Sequence, residues 1–194
     1  MGLDGVFKVG HKLLDDFAKI IIPTNFARPM IQYVYDTIGK KNLIGVEIGV
    51  ASGDNAKSIL KTLPIKKLYL IDPYVSYTQD DKRRKVYPEE MKKMQNNVAP
   101  FKDKVTFLKL TSEEAINSIP NNLDFIYIDG NHSEENVRQD IELYYPKVRI
   151  GGVLGGHDFC TKWKGVCKAV LEFTEKNNLK LFGKNSDWWV VKKK

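Results

Sequence analysis

The sequence predicts a doubly wound α/β fold built on a mostly parallel sheet, and three observations carry that prediction. From residue 43 onward, short apolar runs alternate with amphipathic helical stretches. The first run leads directly into a loop holding Gly49 and Gly53. The last two runs are joined by a link far shorter than the dozen or so residues a parallel crossover needs, so they read as an antiparallel hairpin.

Each element has a local reason. In the N-terminal segment Leu13, Leu14, Phe17, Ile20 and Ile21 fall at helical spacing, as do Ile31, Val34, Tyr35 and Ile38, with Pro23 and Pro29 as punctuation. Leu43 to Val50 suits a buried parallel strand. A helix over 54–63 carries Ile59, Leu60 and Leu63 and stops before Pro64. Lys67 to Asp72 is the second strand, and Pro88 to Val98 a helix with Met91, Met94 and Val98 on one face. Val105 to Leu110 is the third strand, followed by a short helix from Glu113 to Ile119, and Leu123 to Asp129 is the fourth strand. Ser133 caps the next helix, whose first turn holds Glu134 and Glu135 and whose inner face holds Val137, Ile141 and Tyr144. Gly152 to Asp158 is a fifth strand, Val166, Ala169, Val170 and Phe173 mark a last helix, and Leu179 to Phe182 and Trp188 to Val191 form the hairpin. That makes seven strands in one domain over 1–194, with helices in 1–42 added to a core of 43–192.

Composition narrows the class. The 194 residues fit one domain of about 100–200 residues, and 42% hydrophobic content argues against disorder. No apolar run approaches the roughly 20 residues of a membrane span. Met1 to Lys12 lacks an apolar signal core, and Val6 stands where a myristoylation pattern starting at Gly2 wants Ser or Thr, so the expected compartment is the cytoplasm and no membrane partner is expected. Cys160 and Cys167 match neither a zinc nor a redox spacing and read as reduced thiols. A net charge of +7 could attract nucleic acid or anionic substrates. Its lysines are scattered, however, and no aromatic ladder interleaves Lys82 to Lys85, so a solvated surface is the better reading.

In open α/β sheets, ligands bind beyond the carboxyl ends of the strands. The first such loop follows E-x-G-x-x-x-G from Glu47 through Gly49, Ala51 and Ser52 to Gly53. Ala51 takes the second glycine position of the dinucleotide fingerprint, which speaks against a pyrophosphate cofactor. Asp72, ending the second strand, can accept both hydroxyls of a ribose. Asp129 and Asp158 end neighbouring strands, so their carboxylates can converge, and close carboxylates call for a cation or shared proton. Such hard oxygen ligands suit Mg²⁺. A metal held by Asp129 and Asp158 would lower the pKa of a substrate hydroxyl, with His132 or His157 as general base, since imidazole titrates near neutral pH.

The run from Val46 to Gly53, the Asp72 position and Ile126-Tyr127-Ile128-Asp129-Gly130-Asn131-His132 together resemble class I S-adenosylmethionine-dependent methyltransferases with a Rossmann-like fold. Asp129 through Asp140, Gly151-Gly152 and Gly156-His157-Asp158 resemble the small-molecule and sugar O-methyltransferase branch (the methyltransferase 24 type), several of whose members need a divalent metal. The resemblance implies S-adenosylmethionine as cofactor. It places Glu47 and Gly49 near the methionine part, Asp72 at the ribose and Ser112 by the adenine, with Ala51, Ser52, Gly53 and Asp129 as further cofactor-binding residues. Two departures stand out. Thr111 replaces a frequent acidic residue, and Glu134 replaces the tyrosine of D-G-x-H-x-Y. The polar segment from Tyr74 to Tyr87 suits a substrate lid. The expected acceptor is a small molecule. An RNA or protein methyltransferase ranks second, a cofactor-binding regulator without turnover is the rival from another class, and a homodimer is the default assembly.

Overall fold

The computed structural model of the chain describes residues 27–38, 41–75 and 87–194. The expected helix around 13–21, the Lys82 to Lys85 cluster and most of the expected lid lie outside the described residues. A seven-stranded sheet organises the rest, in the order β3-β2-β1-β4-β5-β7-β6. Its strands are β1 (Leu43–Ile48), β2 (Ile65–Ile71), β3 (Val105–Leu108), β4 (Leu123–Ile128), β5 (Val148–Gly156), β6 (Phe182–Lys184) and β7 (Asp187–Val191). β7 lies between β5 and β6 and runs antiparallel to both, while the other pairings are parallel. The predicted architecture is therefore the observed one.

Helices cover both faces because the strands are apolar on both sides. On one face α1 (Pro29–Thr37), α2 (Asp54–Thr62) and α3 (Tyr87–Val98) bury Met30, Ile31, Ile59 and Met94 against Leu68, Phe125 and Trp189. On the other, α4 (Ser112–Ala115), α5 (Glu134–Tyr144) and α6 (Lys164–Lys176) bury Ala115, Ile141 and Val170 against Ile126, Leu154 and Trp188. The adjacent tryptophans of β7 thus serve opposite cores, as the alternation of a strand requires. Among the described residues, no helix is long and apolar enough to cross a membrane.

Several boundaries differ from the sequence expectation, each for a local reason. β1 stops at Ile48 because Gly49 turns the chain with φ +82°. β2 begins at Ile65, whose amide already bonds Leu63, and β3 ends at Leu108. The helix expected from Glu113 starts at Ser112 under a capping box from Thr111 and Glu114, then tightens to a 3₁₀ turn over Ile116–Ser118. β5 begins at Val148, through the glycine pair. The larger correction is at the hairpin, where the strand expected at Leu179 begins at Phe182. Asn185 and Ser186, both at positive φ, form a two-residue turn that pairs Lys184 with Asp187 and fixes the register. Leu179 and Leu181 instead pack beneath the second core.

Candidate active site

The sheet order reverses between β1 and β4, and the loops after these two strands part to open a cleft of about 780 Å³. Backbone bonds carry the sheet past its strand ends: Gly49 N to Ile71 O, Asp72 N to Leu108 O, Asp129 N to Ile48 O and His157 N to Ile128 O. The four loops therefore start from fixed points. A side chain at Gly49 would put its Cβ 2.2 Å from Asp129 O, so only glycine lets these loops cross.

The glycine loop is held from below by Asp72. Its Oδ2 accepts the amides of Val50 and Ala51, both at 2.9 Å, and its Oδ1 accepts the amide of Tyr74 at 2.8 Å. A carboxylate offers about four acceptor positions, so this leaves one for a ligand hydroxyl where the sequence reading had allowed two. The Tyr74 hydroxyl returns to Ala51 O at 2.5 Å. Ala51 and Tyr74 both hold positive φ, as does Asp158 across the cleft. Left-handed backbone at non-glycine residues is strained and gathers at functional sites.

Glu47, at the heart of the cleft wall, is 1% exposed. Its Oε1 accepts from Asn55 Nδ2 at 2.9 Å, while Oε2 is buried without a partner. Burial pushes its carboxyl up to about 8, against the pull of the Asn55 hydrogen bond. Ser112 also lines the cleft, donating its hydroxyl to Asp140, a nearly buried carboxyl on α5 that burial raises to about 6. Thr111, at the position the resemblance often gives to an acid, is spent on the cap of α4.

At the ends of β4 and β5, Asp129, His132 and Asp158 each bring a ligand atom within 4.8 Å of the others. His132 Nε2 lies 2.5 Å from Asp158 Oδ2 and 3.9 Å from Asp129 Oδ1, with no N–H in line to either, so it is a buried polar atom without a hydrogen bond. The carboxylates of Asp129 and Asp158 offer hard oxygen donors that fit a divalent cation, with the His132 imidazole nitrogen beside them. Burial raises the Asp129 carboxyl, and the Arg28 guanidinium draws it back down. The His132 ring stacks on Trp163 with centroids 4.3 Å apart, which fixes its plane. His157 Nδ1 lies 3.2 Å from Asp158 Oδ1, but His157 does not line the cleft, whereas His132 does. Glu134 has left the site for a surface cluster with Arg138 and Lys168. Cys160 and Cys167 are free, and burial raises the Cys167 thiol, as suits an unreactive pair.

Sequence reasoning gave four residues here no role at the site, although Tyr127 and Asp140 stand within its motifs. Arg28 pairs with Asp129 at 2.9 Å, and Tyr127 and Asp187 hold Arg28 in place. Asp140 carried a legible signal, since it falls at helical spacing among Val137, Ile141 and Tyr144 on the buried face. Arg28 and Asp187 carried none.

A sequence model described as a methyltransferase domain matches residues 46–159. Uncharacterized protein R132 of Acanthamoeba polyphaga mimivirus is 30% identical over 138 residues, covering 67% of this chain and 58% of that protein, so the chain spans little more than half of that relative. The fold is similar to an rRNA methylase from Streptococcus thermophilus, with a TM-score of 0.62, 15% identity and coverage of 86% of this chain and 98% of that one. It is also similar to an O-methyltransferase from Bacillus cereus in complex with SAH, with a TM-score of 0.59, 15% identity and coverage of 94% and 90%. The chain belongs to the methyltransferase-domain family.

Proposed function

We propose that the chain methylates a hydroxyl group of a small molecule with divalent-cation assistance. The convergence of Asp129, His132 and Asp158 beside the glycine loop supports this reading above all. A sulfonium methyl is already electrophilic, so the protein has chiefly to orient the partners and exclude water, which can contribute roughly 7–11 kcal/mol. A divalent cation between Asp129 and Asp158 would lower the pKa of the acceptor hydroxyl.

The chain's own residues divide the remaining work. Asp72 and the loop from Gly49 to Gly53 hold the nucleoside, and Ser112 with Asp140 bounds its base. His132, its ring stacked on Trp163 and its Nε2 beside the Asp158 carboxylate, takes the acceptor's proton. His157 lies behind Asp158 and orients it.

The test is methyl transfer from S-adenosylmethionine to a panel of catechols and sugars, and to RNA, each with Mg²⁺ or EDTA. Methylation of a hydroxyl acceptor that EDTA abolishes is the expected result. Transfer to RNA alone would overturn the acceptor class, and transfer indifferent to EDTA would overturn the cation.

A further inference from the structure

Lysines that look scattered along the sequence gather in the fold, and the two edges of the sheet carry opposite charge. At the carboxyl ends of the parallel strands, Glu47, Asp72, Asp129, Asp140 and Asp158 line the cleft, with Arg28 as the one permanent cation among the described residues in its wall. The amino ends are basic. Lys61, Lys66, Lys67, Lys102 and Lys104 meet at one corner, where α2 ends, β2 starts and the 3₁₀ turn Ala99–Lys104 leads into β3. Asp103 is the one acid in the segments 61–67 and 101–105 that form this corner. At the other corner the start of β5 meets the end of β7, and Gly151 N donates to Lys192 O. Segments 147–150 and 191–194 there hold Lys147, Arg149 and Lys192 to Lys194, and no acid.

Helix C-termini at this edge attract cations, but each offers only about half a negative charge. Some of the lysines also tie down the backbone. Lys67 Nζ donates to Val105 O at 3.3 Å and Lys147 Nζ to Ile119 O at 2.8 Å. Lys192 Nζ donates to the carbonyls of Tyr145, Pro146 and Val148 at 3.2, 2.9 and 2.7 Å. Those acceptors are neutral, so each ammonium keeps its charge. Arg149 is different, paired with Asp124 at 2.8 Å. Lys66, Lys102 and Lys104 are exposed, and their side chains have no hydrogen bond or ion pair among the described residues.

Strands lie about 4.8 Å apart, so the edge from β3 to β7 runs about 24 Å. That length suits a compact single-strand site of roughly 4–16 nucleotides. Lysine meets phosphate as a point charge, and a row of lysines binds a polyanion by releasing its counterions. A lipid surface is the poorer match, because it takes up a broad apolar face along with basic charge. These corners expose a single large apolar side chain, Ile150.

We propose that the amino edge of the sheet is a docking surface for the phosphate backbone of single-stranded RNA, on the side of the molecule opposite the cleft. This goes beyond the proposed methyl transfer and does not depend on it.

The probe is a fluorescein-labelled oligouridylate of about 20 nucleotides, long enough to span such a site, with binding read by anisotropy from about 50 to 200 mM salt. Wild type is compared with Lys66→Glu/Lys104→Glu and with a control, Lys109→Glu/Lys164→Glu. The control makes the same change in net charge at exposed lysines after β3 and at the start of α6, near the carboxyl edge. Each protein is first shown to unfold cooperatively, and Lys66→Gln/Lys104→Gln serves in place of an acidic pair that fails to fold. Two phosphate contacts account for about 1.4 of the logarithmic salt slope on a single strand. The edge variant should lose that much slope and at least about tenfold in affinity at the low-salt end, while the control loses less than about threefold. Equal losses in the two variants would reduce the attraction to net charge and overturn the edge as a site, as would no binding by wild type at about 50 mM salt. Capture by phosphatidylserine vesicles in preference to the oligouridylate would overturn RNA as the partner.

Discussion

The hydroxyl of Tyr127 donates to Asp187 at 2.7 Å across the sheet, from β4 to β7, with both residues essentially excluded from solvent. Asp187 also accepts the amide of Met30, so one carboxylate ties the second-last strand of the sheet order to the start of α1. Tyr127→Phe keeps the ring and its packing but deprives the Asp187 carboxylate of a donor. Leaving a buried polar group short of a partner costs about 1–3 kcal/mol. At roughly 2–4 °C per kcal/mol for a protein of this size, the unfolding midpoint should fall by several degrees. An unchanged midpoint would mean that the link carries no stability.

Stability should fall as pH rises from about 4.5 to 8. Glu47 has its carboxyl raised by burial to about 8 in the folded chain, against an ordinary value near 4.3. Between those values the folded state binds more protons than the unfolded state, so each step upward in pH favours unfolding. Glu47's contribution is fully present below its ordinary range and gone above about pH 8. Asp140, raised to about 6, adds the same sign over a narrower window. Around Glu47 stand the Asn55 amide, Asp129, Arg28 and Asp72. Glu47→Gln should flatten the thermal midpoint between pH 6 and 8, and parallel curves for the two proteins would refute this origin.

Cofactor binding should carry the complementary signature. The family resemblance implies that the methionine part of the cofactor lies by Glu47. An ammonium there would favour the ionised carboxylate, so on this reading binding of S-adenosylhomocysteine near pH 7 should release a proton. Calorimetry in buffers of different ionisation enthalpy reads that release directly. It should disappear in Glu47→Gln.

Gly49→Ala should unfold the site. The added methyl would stand 2.2 Å from the Asp129 carbonyl oxygen on backbone with φ +82°. Neither atom belongs to a flexible side chain, so the loops after β1 and β4 must move apart. A loss of more than about 2 kcal/mol is expected, as overpacking and a left-handed alanine act together. A fully stable variant would show that the crossing is looser than described.

Asp158→Asn tests the cation. Asp158 sits at φ 61°, a conformation asparagine tolerates, so the fold should survive. S-adenosylhomocysteine binding should persist, while stimulation of methyl transfer by Mg²⁺ is lost. Undiminished Mg²⁺ stimulation would remove Asp158 from the cation site.

Much of this was legible because short-range physics controls it. The run of β1 into Gly49, and Asp129 and Asp158 at the ends of apolar runs, declare strands whose carboxyl ends gather at one edge. Helical spacing marked the buried face of α5, yet Asp140 on that face was read only as the end of a motif and given no place in the cleft, because an acid is read as exposed by default. The hairpin was misplaced because Leu179 and Leu181 imitate a strand, and the Asn185–Ser186 turn decides the register. Arg28 and Asp187 were invisible. Their association depends on how α1 docks over the sheet, and no periodicity encodes a contact between segments so far apart.

The bond from Met30 to Asp187 spans 157 positions of sequence, which gives the chain an order of assembly. Contacts that close long loops form late, after local helices and neighbouring strands have set. During synthesis the glycine loop and Asp72 exist long before Asp187 is made, but the anchor for Arg28 does not. A nascent chain can shape the Asp72 end of the cleft early and complete its other end only when β7 slots in beside β5. The Arg28 end of the cleft is thereby completed only in chains whose last strand has joined the sheet.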